Sequence, residues 1–258
     1  MLRKRIIFTL IYSNNCFNQS RNFRLQKVGD LKWLENNYKF KEIAKSLDEL
    51  VVINASKNKE DISAFAKVLK KIVNYVFIPI TGGGGIKSLE DARLLFNSGA
   101  DKLILNSSLY KNPKLVKDLI KQYGSQSLVA SIDYKKINGN HVVLVDNGCK
   151  KIDMSLENYL KYVEELNVGE IYLNSIDKDG TGFGYDFQTI DFVAKKLSKP
   201  LIIAGGAGNE NHFIEGLQKD SVDAVATANL FNFLGNGLIK AREKILNKNL
   251  NLADWSKQ

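Results

Sequence analysis

Two apolar runs of this sequence end in carboxylates. Asp133 closes the run SLVASID, and Asp179 lies in SIDKDGT, the segment that follows the run EIYLN. A carboxylate held beside a reacting group can act as a general acid or base, so we expect Asp133 and Asp179 to be catalytic. For Asp177, in the same segment, helix capping or a salt bridge to a nearby lysine is a plausible alternative.

Glycine-rich turns follow two further apolar runs. TGGGGI (81–86) follows VFIPI, and AGGAG (204–208) follows PLII. Glycines in such turns let backbone N–H groups approach an anion and point at it. The polar turns Asn106-Ser107 and Ala228-Asn229 can supply more donors. Although glycines can serve tight turns alone, the two sets together predict a ligand with two phosphates.

Four charged residues stand where apolar runs begin: Arg5, Glu49, Lys102 and Glu170. Two cations and two anions at strand starts could form a neutral ring across one end of a barrel, whose interior is otherwise filled with branched apolar side chains. The alternative is that these side chains extend to solvent. The residues alone favour solvent.

The chain repeats itself with an offset of 121 to 122 residues. DELVVINASKNKED (48–61) matches GEIYLNSIDKDGTG (169–182), and FIPITGGGGI (77–86) matches SKPLIIAGGA (198–207). In the pair RIIFTLIYSN and SLVASIDYKK, Ile11 falls on Asp133. A constant offset over several segments indicates duplication, with halves at about 1–122 and 123–250.

Each half alternates apolar runs with amphipathic stretches. SLEDARLLFNSG opens with Ser88 as a helix N-cap, has Asp91 three positions later and closes at Gly99. About four strand–helix units per half predict a single-domain α/β protein over residues 1–258, a (β/α)8 TIM barrel built from two half-barrels. A doubly wound open sheet explains the duplication less well. In a barrel, the active site lies at the C-terminal ends of the strands.

The composition, with 44% hydrophobic and 25% charged residues, is that of a globular protein. The opening apolar run is too short for a signal peptide, and no run reaches the ~20 residues of a membrane span. Cys16, Cys149, His141 and His212 lack metal-site spacing, so we expect a cytoplasmic protein with no metal and no cofactor. The net charge of +9 fits an anionic ligand or an acidic partner, and nucleic acid is not expected.

Taken together, these features resemble the cyclase subunit of imidazole glycerol phosphate synthase, a histidine-biosynthesis enzyme. The resemblance covers nearly the whole chain and is specific at MLRKRII, GGGI, GADK, GSQ, SIDYKK, SIDKDGT and GGAG. It implies that a HisH-like glutaminase docks at the N-terminal face of the barrel. Ammonia then crosses the barrel to a phosphorylated substrate on the upper face.

The resemblance also implies roles for individual residues. The four charges at the strand starts become an ammonia gate, which replaces the solvent interpretation, and Asp101 becomes a contact to the glutaminase. The implied phosphate-binding residues form two sets: cradle one, with Gly84, Gly85, Asn106 and Ser107, and cradle two, with Gly180, Gly206 and Asn229. The family usually has serine in place of Asn229.

The chain departs from the family at the top of the barrel. One of the two catalytic aspartates matches Asp133, but the other falls on Ile11, with Gln19 in place of a lysine and Asn54 in place of an acid. Loss of one acid–base group costs ~10²–10⁴-fold in rate. These departures, together with the segment RNFRLQKVGDLKWLENNYKF (21–40), resemble the cyclase-like subunits of surface-polysaccharide pathways. Such subunits work with a glutaminase and a sugar amidotransferase, and the proposed reaction converts an acetamido group of a sugar into an acetamidino group.

Three functions stay open. The first is an ammonia-channelling barrel for such a sugar modification. The second is a true cyclase of histidine biosynthesis with Asp133 as its acid–base group, aided by Asp179. The third is a non-catalytic scaffold that activates the glutaminase. The related half-barrel isomerase of histidine biosynthesis ranks lower, because it needs no charged gate.

Overall fold

The structure is a computed structural model that describes residues 3–38, 43, 46–56, 61–233 and 236–253. Three parts of the segments compared above lie outside the described residues: residues 1–2 of MLRKRII, residues 57–60 of the first repeat, and residues 39–40 at the end of the polysaccharide-type segment. The site residues predicted above all lie inside the described ranges.

Strands and helices alternate along the chain. The strands are β1 Arg5–Ser13, β2 Cys16–Arg21, β3 Arg24–Gly29, β4 Glu49–Asn54, β5 Ile80–Gly83, β6 Lys102–Leu105, β7 Leu128–Ile137, β8 Asn140–Val145, β9 Lys150–Ser155, β10 Glu170–Ser175, β11 Leu201–Ala204 and β12 Ala224–Thr227. The helices are α1 Leu31–Tyr38, α2 Asp61–Val73, α3 Leu89–Asn97, α4 Ser107–Lys111, α5 Pro113–Tyr123, α6 Leu156–Leu166, α7 Phe187–Ala194, α8 Glu210–Leu217 and α9 Gly237–Leu246.

Eight parallel strands close into a barrel in the order β1, β4, β5, β6, β7, β10, β11, β12 and back to β1. The closing pairs are β1 with β12 and β7 with β10, both parallel. The prediction of a (β/α)8 TIM barrel is confirmed. None of the helices in the described part of the chain is long and apolar enough to cross a membrane.

Successive side chains of β1 point to opposite faces, as the strand geometry requires. Ile6, Phe8 and Leu10 belong to the large apolar layer between the barrel and its helices. Ile7 faces the barrel interior, where it packs among apolar side chains of the other strands, and Ile11 lines the cavity above. The same alternation explains how one strand can support both the packed core and the site.

The two halves share a structural detail at their strand starts. Ile80 N–H donates to the Asp101 carboxylate at 2.8 Å, and Leu201 N–H donates to Asp223 in the same way at 2.8 Å. Both halves also carry an antiparallel hairpin on their first strand: β1 continues into β2, and β7 continues into β8. The segment SNNCFNQSRNFR (13–24), which includes Gln19, lies largely in the β2–β3 hairpin.

Helix α3 has the predicted N-terminus. Ser88 accepts a hydrogen bond from Asp91 N–H, and the Asp91 side chain accepts one from Ser88 N–H. Gly99, just beyond the helix, has a φ of 97°, a conformation that favours glycine. The local signals of this helix were therefore sufficient to place both of its ends.

Candidate functional site

A cavity of about 1380 Å³ opens at the C-terminal ends of the barrel strands. The predicted catalytic residues Asp133 and Asp179 line this cavity, and so does Ile11. Its wall also includes every residue of cradles one and two: Gly84, Gly85, Asn106, Ser107, Gly180, Gly206 and Asn229. The structure thus brings the predicted upper-face residues of both halves around one space.

Asp133 lies on β7 with its side chain almost fully buried. Its carboxylate accepts hydrogen bonds from Asn106 at 3.1 Å, Asn174 at 3.4 Å and Ser131 at 3.4 Å. Burial raises the pKa of Asp133 to about 7, while the hydrogen bonds from Asn174 and Ser131 oppose this rise. A carboxyl group that titrates near neutral pH can both accept and return a proton.

Ile11 places a hydrocarbon where the twin strand carries Asp133. Ile11 is paired with Ile53 on β4, and both residues line the cavity. Asn54, the next residue of β4, is buried, and its side-chain oxygen accepts from Ser56 N–H at 3.1 Å. The cavity wall formed by Ile11, Ile53 and Asn54 is therefore apolar or amide in character, and position 11 provides no carboxylate to work with Asp133.

Asp179 is also buried, and its carboxylate holds the β2–β3 hairpin. It accepts from the Ser20 hydroxyl at 2.5 Å and from Phe23 N–H at 3.0 Å. Burial raises the pKa of Asp179, and these two hydrogen bonds act in the opposite direction. The neighbouring Gly180 has no room for a side chain, because an added Cβ would lie 2.2 Å from the Ser20 carbonyl oxygen. Asp179 and Gly180 thus have contacts that fix the hairpin.

In cradle one, the two polar side chains are already engaged. The Asn106 amide donates to Asp133 and to the Ser131 carbonyl, each at 3.1 Å. The Ser107 hydroxyl donates to Asp146 at 3.0 Å. Gly84 has a φ of 94°, and an added Cβ would lie 2.1 Å from the Asn54 carbonyl oxygen. Only glycine fits there.

In cradle two, backbone geometry again demands glycine. Gly206 has a φ of 114°, and an added Cβ would lie 2.1 Å from the Gly184 carbonyl oxygen. Asn229 uses its side-chain oxygen to accept from the N–H groups of Phe231 at 3.2 Å and Asn232 at 3.1 Å. Asn229 therefore supports the turn after β12.

At the opposite end of the barrel, the four predicted charges form a closed ring of ion pairs. Arg5 contacts Glu49 at 2.9 Å and Glu170 at 3.0 Å, and Lys102 contacts Glu49 at 3.2 Å and Glu170 at 2.9 Å. Burial tends to raise the pKa of Glu170, but Arg5 and Lys102 hold it below its usual value. The solvent interpretation from the residues alone was wrong. These four residues are called the charged ring below.

Between the charged ring and the cavity lies a largely apolar interior. The interior cluster comprises Ile7, Val51, Ile104, Val129, Tyr172, Ile202, Ala204, Ala224 and Ala226. Within it, the hydroxyls of Thr9 and Tyr172 lie 2.9 Å apart, and both residues also line the cavity floor. Ile11 lies six positions after Arg5 on β1, a distance of ~20 Å along the strand.

Asp101 is exposed immediately before β6, at the same end of the barrel as the charged ring. One carboxylate oxygen accepts from Ile80 N–H. As an exposed residue, Asp101 is accessible to a partner at this face.

Several residues that shape the site escaped the sequence reasoning. Tyr172 could have been found, because it lies two positions after Glu170 and must share its face of β10. Ser131 had the same signal, since it lies two positions before Asp133 on β7, whereas Asp146 had none, because its contact to Ser107 depends on the closed barrel. Among the described residues, no group of three His, Cys, Asp or Glu side chains is placed to hold a metal ion.

The amino-acid sequence of this chain is similar to those of several known proteins. The model of the histidine biosynthesis protein family matches residues 30–235. A protein of Parasynechococcus marenigrum, provisionally named imidazole glycerol phosphate synthase subunit hisF2, is 44% identical over 256 residues, 99% of this chain and 95% of the relative.

Two relatives with the name imidazole glycerol phosphate synthase subunit HisF are more distant in identity. The protein of Flavobacterium johnsoniae is 36% identical over 250 residues, 96% of this chain and 98% of its own length. The protein of Pyrobaculum aerophilum is 39% identical over 213 residues, 82% of each chain. The similarity therefore extends over the whole barrel.

Proposed function

The chain belongs to the HisF family, and from that premise we propose that it is the barrel subunit of a glutamine amidotransferase system. In this role, a HisH-like glutaminase docks at the N-terminal face and supplies ammonia, which crosses the barrel to the upper cavity. The observation that carries the proposal is the charged ring, closed by four ion pairs directly below an apolar interior that leads to Asp133.

The charged ring suits entry of neutral ammonia. Its two cations and two anions are mutually paired, so the ring adds no net charge to the passage. An ammonium ion would lose its hydration shell in the apolar interior, at a cost of several kcal/mol. Neutral ammonia avoids that cost. Lys102 carries its charge on a flexible four-carbon stem, so it is the member best able to swing aside.

The upper cavity suits a chemistry that needs one proton-transfer group. Asp133 can exchange a proton near neutral pH, whereas Ile11 can neither donate nor accept one. A cyclisation that relies on two opposed aspartates is therefore disfavoured. We assign the ammonia to a phosphorylated or nucleotide-linked sugar, as in surface-glycan synthesis.

In that reaction, the acetamido carbon gains the ammonia nitrogen and loses its oxygen as water, which gives an acetamidino group. A separate sugar amidotransferase catalyses this condensation. The barrel delivers the ammonia and holds the acceptor. Amide and hydroxyl side chains along the cavity, among them Asn18, Asn174 and Ser131, are suited to a hydroxyl-rich ligand.

A true cyclase of histidine biosynthesis is the second candidate, favoured by Asp133 and by the names of the HisF relatives. The test is ammonia-dependent turnover of the bisphosphate substrate of that pathway by the purified chain, beside Asp133→Asn. Turnover that the variant loses would establish the cyclase and displace our proposal. No turnover above the variant is the result we expect.

A scaffold that only activates the glutaminase makes a different prediction. Substitutions at Asp133 or Gly206 would then leave the yield of modified glycan unchanged, because neither residue would meet a substrate. Our proposal expects both substitutions to lower that yield. The acetamidino content of the glycan, measured by mass spectrometry in cells that carry each variant, separates the two functions.

A further inference from the structure

We propose that cradle one excludes phosphate and receives an uncharged, hydroxyl-bearing end of the substrate, and that Asp146 is the residue that determines this specificity. The inference rests on the proposed function only in taking the upper cavity as the substrate site. It changes the expected ligand from one with two phosphates to one with a single phosphorylated end, which cradle two would hold.

The first observation is that a carboxylate occupies the polar centre of cradle one. Ser107 Oγ donates to Asp146 Oδ1 at 3.0 Å, and Asp146 N–H donates back to Ser107 Oγ at 3.0 Å. Lys111 Nζ contacts the same carboxylate at 2.5 Å. The hydroxyl predicted to bind phosphate is therefore paired with an acid, and the same acid neutralises Lys111.

Asp146 is held in this position by the shape of its turn. Asp146 and Asn147 have φ values of 55° and 56°, followed by Gly148 at 74°, in the tight connection between β8 and β9. The Asn147 amide donates to the Ala55 carbonyl at 3.0 Å, across the rim of the cavity. The turn is thus tied to both β4 and α4, and the carboxylate is presented to Ser107 by a fixed backbone.

The remaining groups of cradle one give phosphate little compensation. The Asn106 amide is directed to Asp133 and Ser131, so it has few donors left for an anion. Helix α4, which begins at Ser107, has only 5 residues. Lys87 lines this end of the cavity but is exposed, so water screens its charge. A phosphate dianion beside Asp146 would meet a like charge at short range.

Cradle two also has a neighbouring acid, Asp179, but this carboxylate is buried and engaged by the β2–β3 hairpin, not by a residue of the cradle. The carboxylates on the cavity wall are those of Asp133, Asp146 and Asp179. Asp133 is engaged by Asn106 and Asn174, and Asp179 is engaged by Ser20 and Phe23 N–H. Asp177 is turned to Lys136 N–H at 2.7 Å. The two cradles are therefore chemically different, although the chain repeat made them look alike.

A paired carboxylate and serine hydroxyl recognise a different ligand. Asp146 accepts hydrogen bonds from sugar hydroxyls, and Ser107 and Lys111 can donate to them, so one diol satisfies both kinds of group. The ligand class is thus a sugar with phosphate at one end and free hydroxyls at the other.

Inorganic phosphate, titrated into the ¹⁵N-labelled full chain and followed by amide NMR shifts, tests this inference. We expect the amides of Gly206 and its neighbours to shift and those of Gly85 and Ser107 to stay unchanged. In Asp146→Asn, the cradle-one amides should also respond, with phosphate affinity at that site raised by more than about tenfold. Asp153→Asn, the same charge change on the exposed part of β9, should behave as the unaltered chain.

Equal shifts at both cradles in the unaltered chain would overturn the inference, and so would an absence of shifts at cradle two. Calorimetry with fructose 6-phosphate and fructose 1,6-bisphosphate provides a second measurement that needs no variant. We expect the second phosphate to bring no gain in affinity, whereas a gain of more than about tenfold contradicts the assignment. Neither experiment involves ammonia or a glutaminase, so failure here leaves the proposed channel untouched.

Discussion

Removal of one acid from the charged ring should destabilise the whole barrel. Glu49 is the most buried member, at 3% side-chain exposure, and its carboxylate contacts Arg5 at 2.9 Å, Lys102 at 3.2 Å and the Thr81 hydroxyl at 2.5 Å. The substitution Glu49→Gln keeps the shape of the side chain and removes its charge. Two cations would then share the single acid Glu170.

The magnitude follows from burial. Loss of one partner from a buried ion pair costs ~3–5 kcal/mol. Arg5 and Lys102 are 21% and 20% exposed, and both keep a contact to Glu170, so water and the remaining acid reduce the cost. We expect a loss of roughly 2–3 kcal/mol in the free energy of unfolding. For a chain of this size, that corresponds to a fall of ~5–10 °C in Tm.

Thermal unfolding followed by circular dichroism measures this fall. Glu165→Gln is the matched control, because Glu165 is exposed on α6 and its substitution should change stability by less than ~0.5 kcal/mol. Adding Lys102→Met to Glu49→Gln removes the unpaired cation and should restore part of the loss. If Glu49→Gln melts within about 1 °C of the unaltered chain, the ring does not stabilise the barrel and this reasoning is wrong.

Two further predictions concern the buried acids of the cavity. The pKa of Asp133 is raised from 3.8 to about 7 in the folded state, so between these two pH values the folded state binds more protons than the unfolded chain. The contribution of Asp133 to the free energy of unfolding therefore falls as the pH rises through this range. Asp133→Asn should remove that decrease, and urea midpoints at pH 5 and pH 8 measure it; an unchanged pH dependence in the variant would count against the raised pKa. Asp179→Ala should free the β2–β3 hairpin, since Ser20 and Phe23 N–H lose their acceptor. Amide exchange should then accelerate at residues 16–29 and not in the β8–β9 hairpin, and equal protection in both chains would show that other contacts hold the hairpin.

The fold could be predicted because its evidence is local and repeated. Apolar runs, helix caps such as Ser88 and a constant offset along the chain are all readable without knowledge of distant contacts. The two halves share a sequence pattern, and Asp101 and Asp223 accordingly accept the same backbone hydrogen bond at equivalent positions.

The parts that could not be predicted depend on contacts between distant residues. Arg5 lies 44 residues from Glu49 and 165 from Glu170, and only the closed barrel brings them together, so the residues alone favoured solvent. Asp146 meets Ser107 across 39 residues, and its turn carries no sign of that contact. Symmetry of sequence gave no sign of this difference between the halves, in which an acid pairs with the serine of cradle one.

Ammonia can enter the barrel as proposed only if a glutaminase binds at the N-terminal face, around the charged ring, and a binding experiment tests this most directly. A HisH-like glutaminase co-expressed with this chain should copurify with it and hydrolyse glutamine faster in the complex than alone. Asp101→Lys should abolish both effects, while Asp101→Asn keeps the acceptor for Ile80 N–H and should weaken binding only partly. Asp153→Lys, on the upper hairpin, should have no effect. A chain that binds no glutaminase, or that binds it equally well with Asp101→Lys, would contradict the proposal that ammonia enters this barrel at the charged ring.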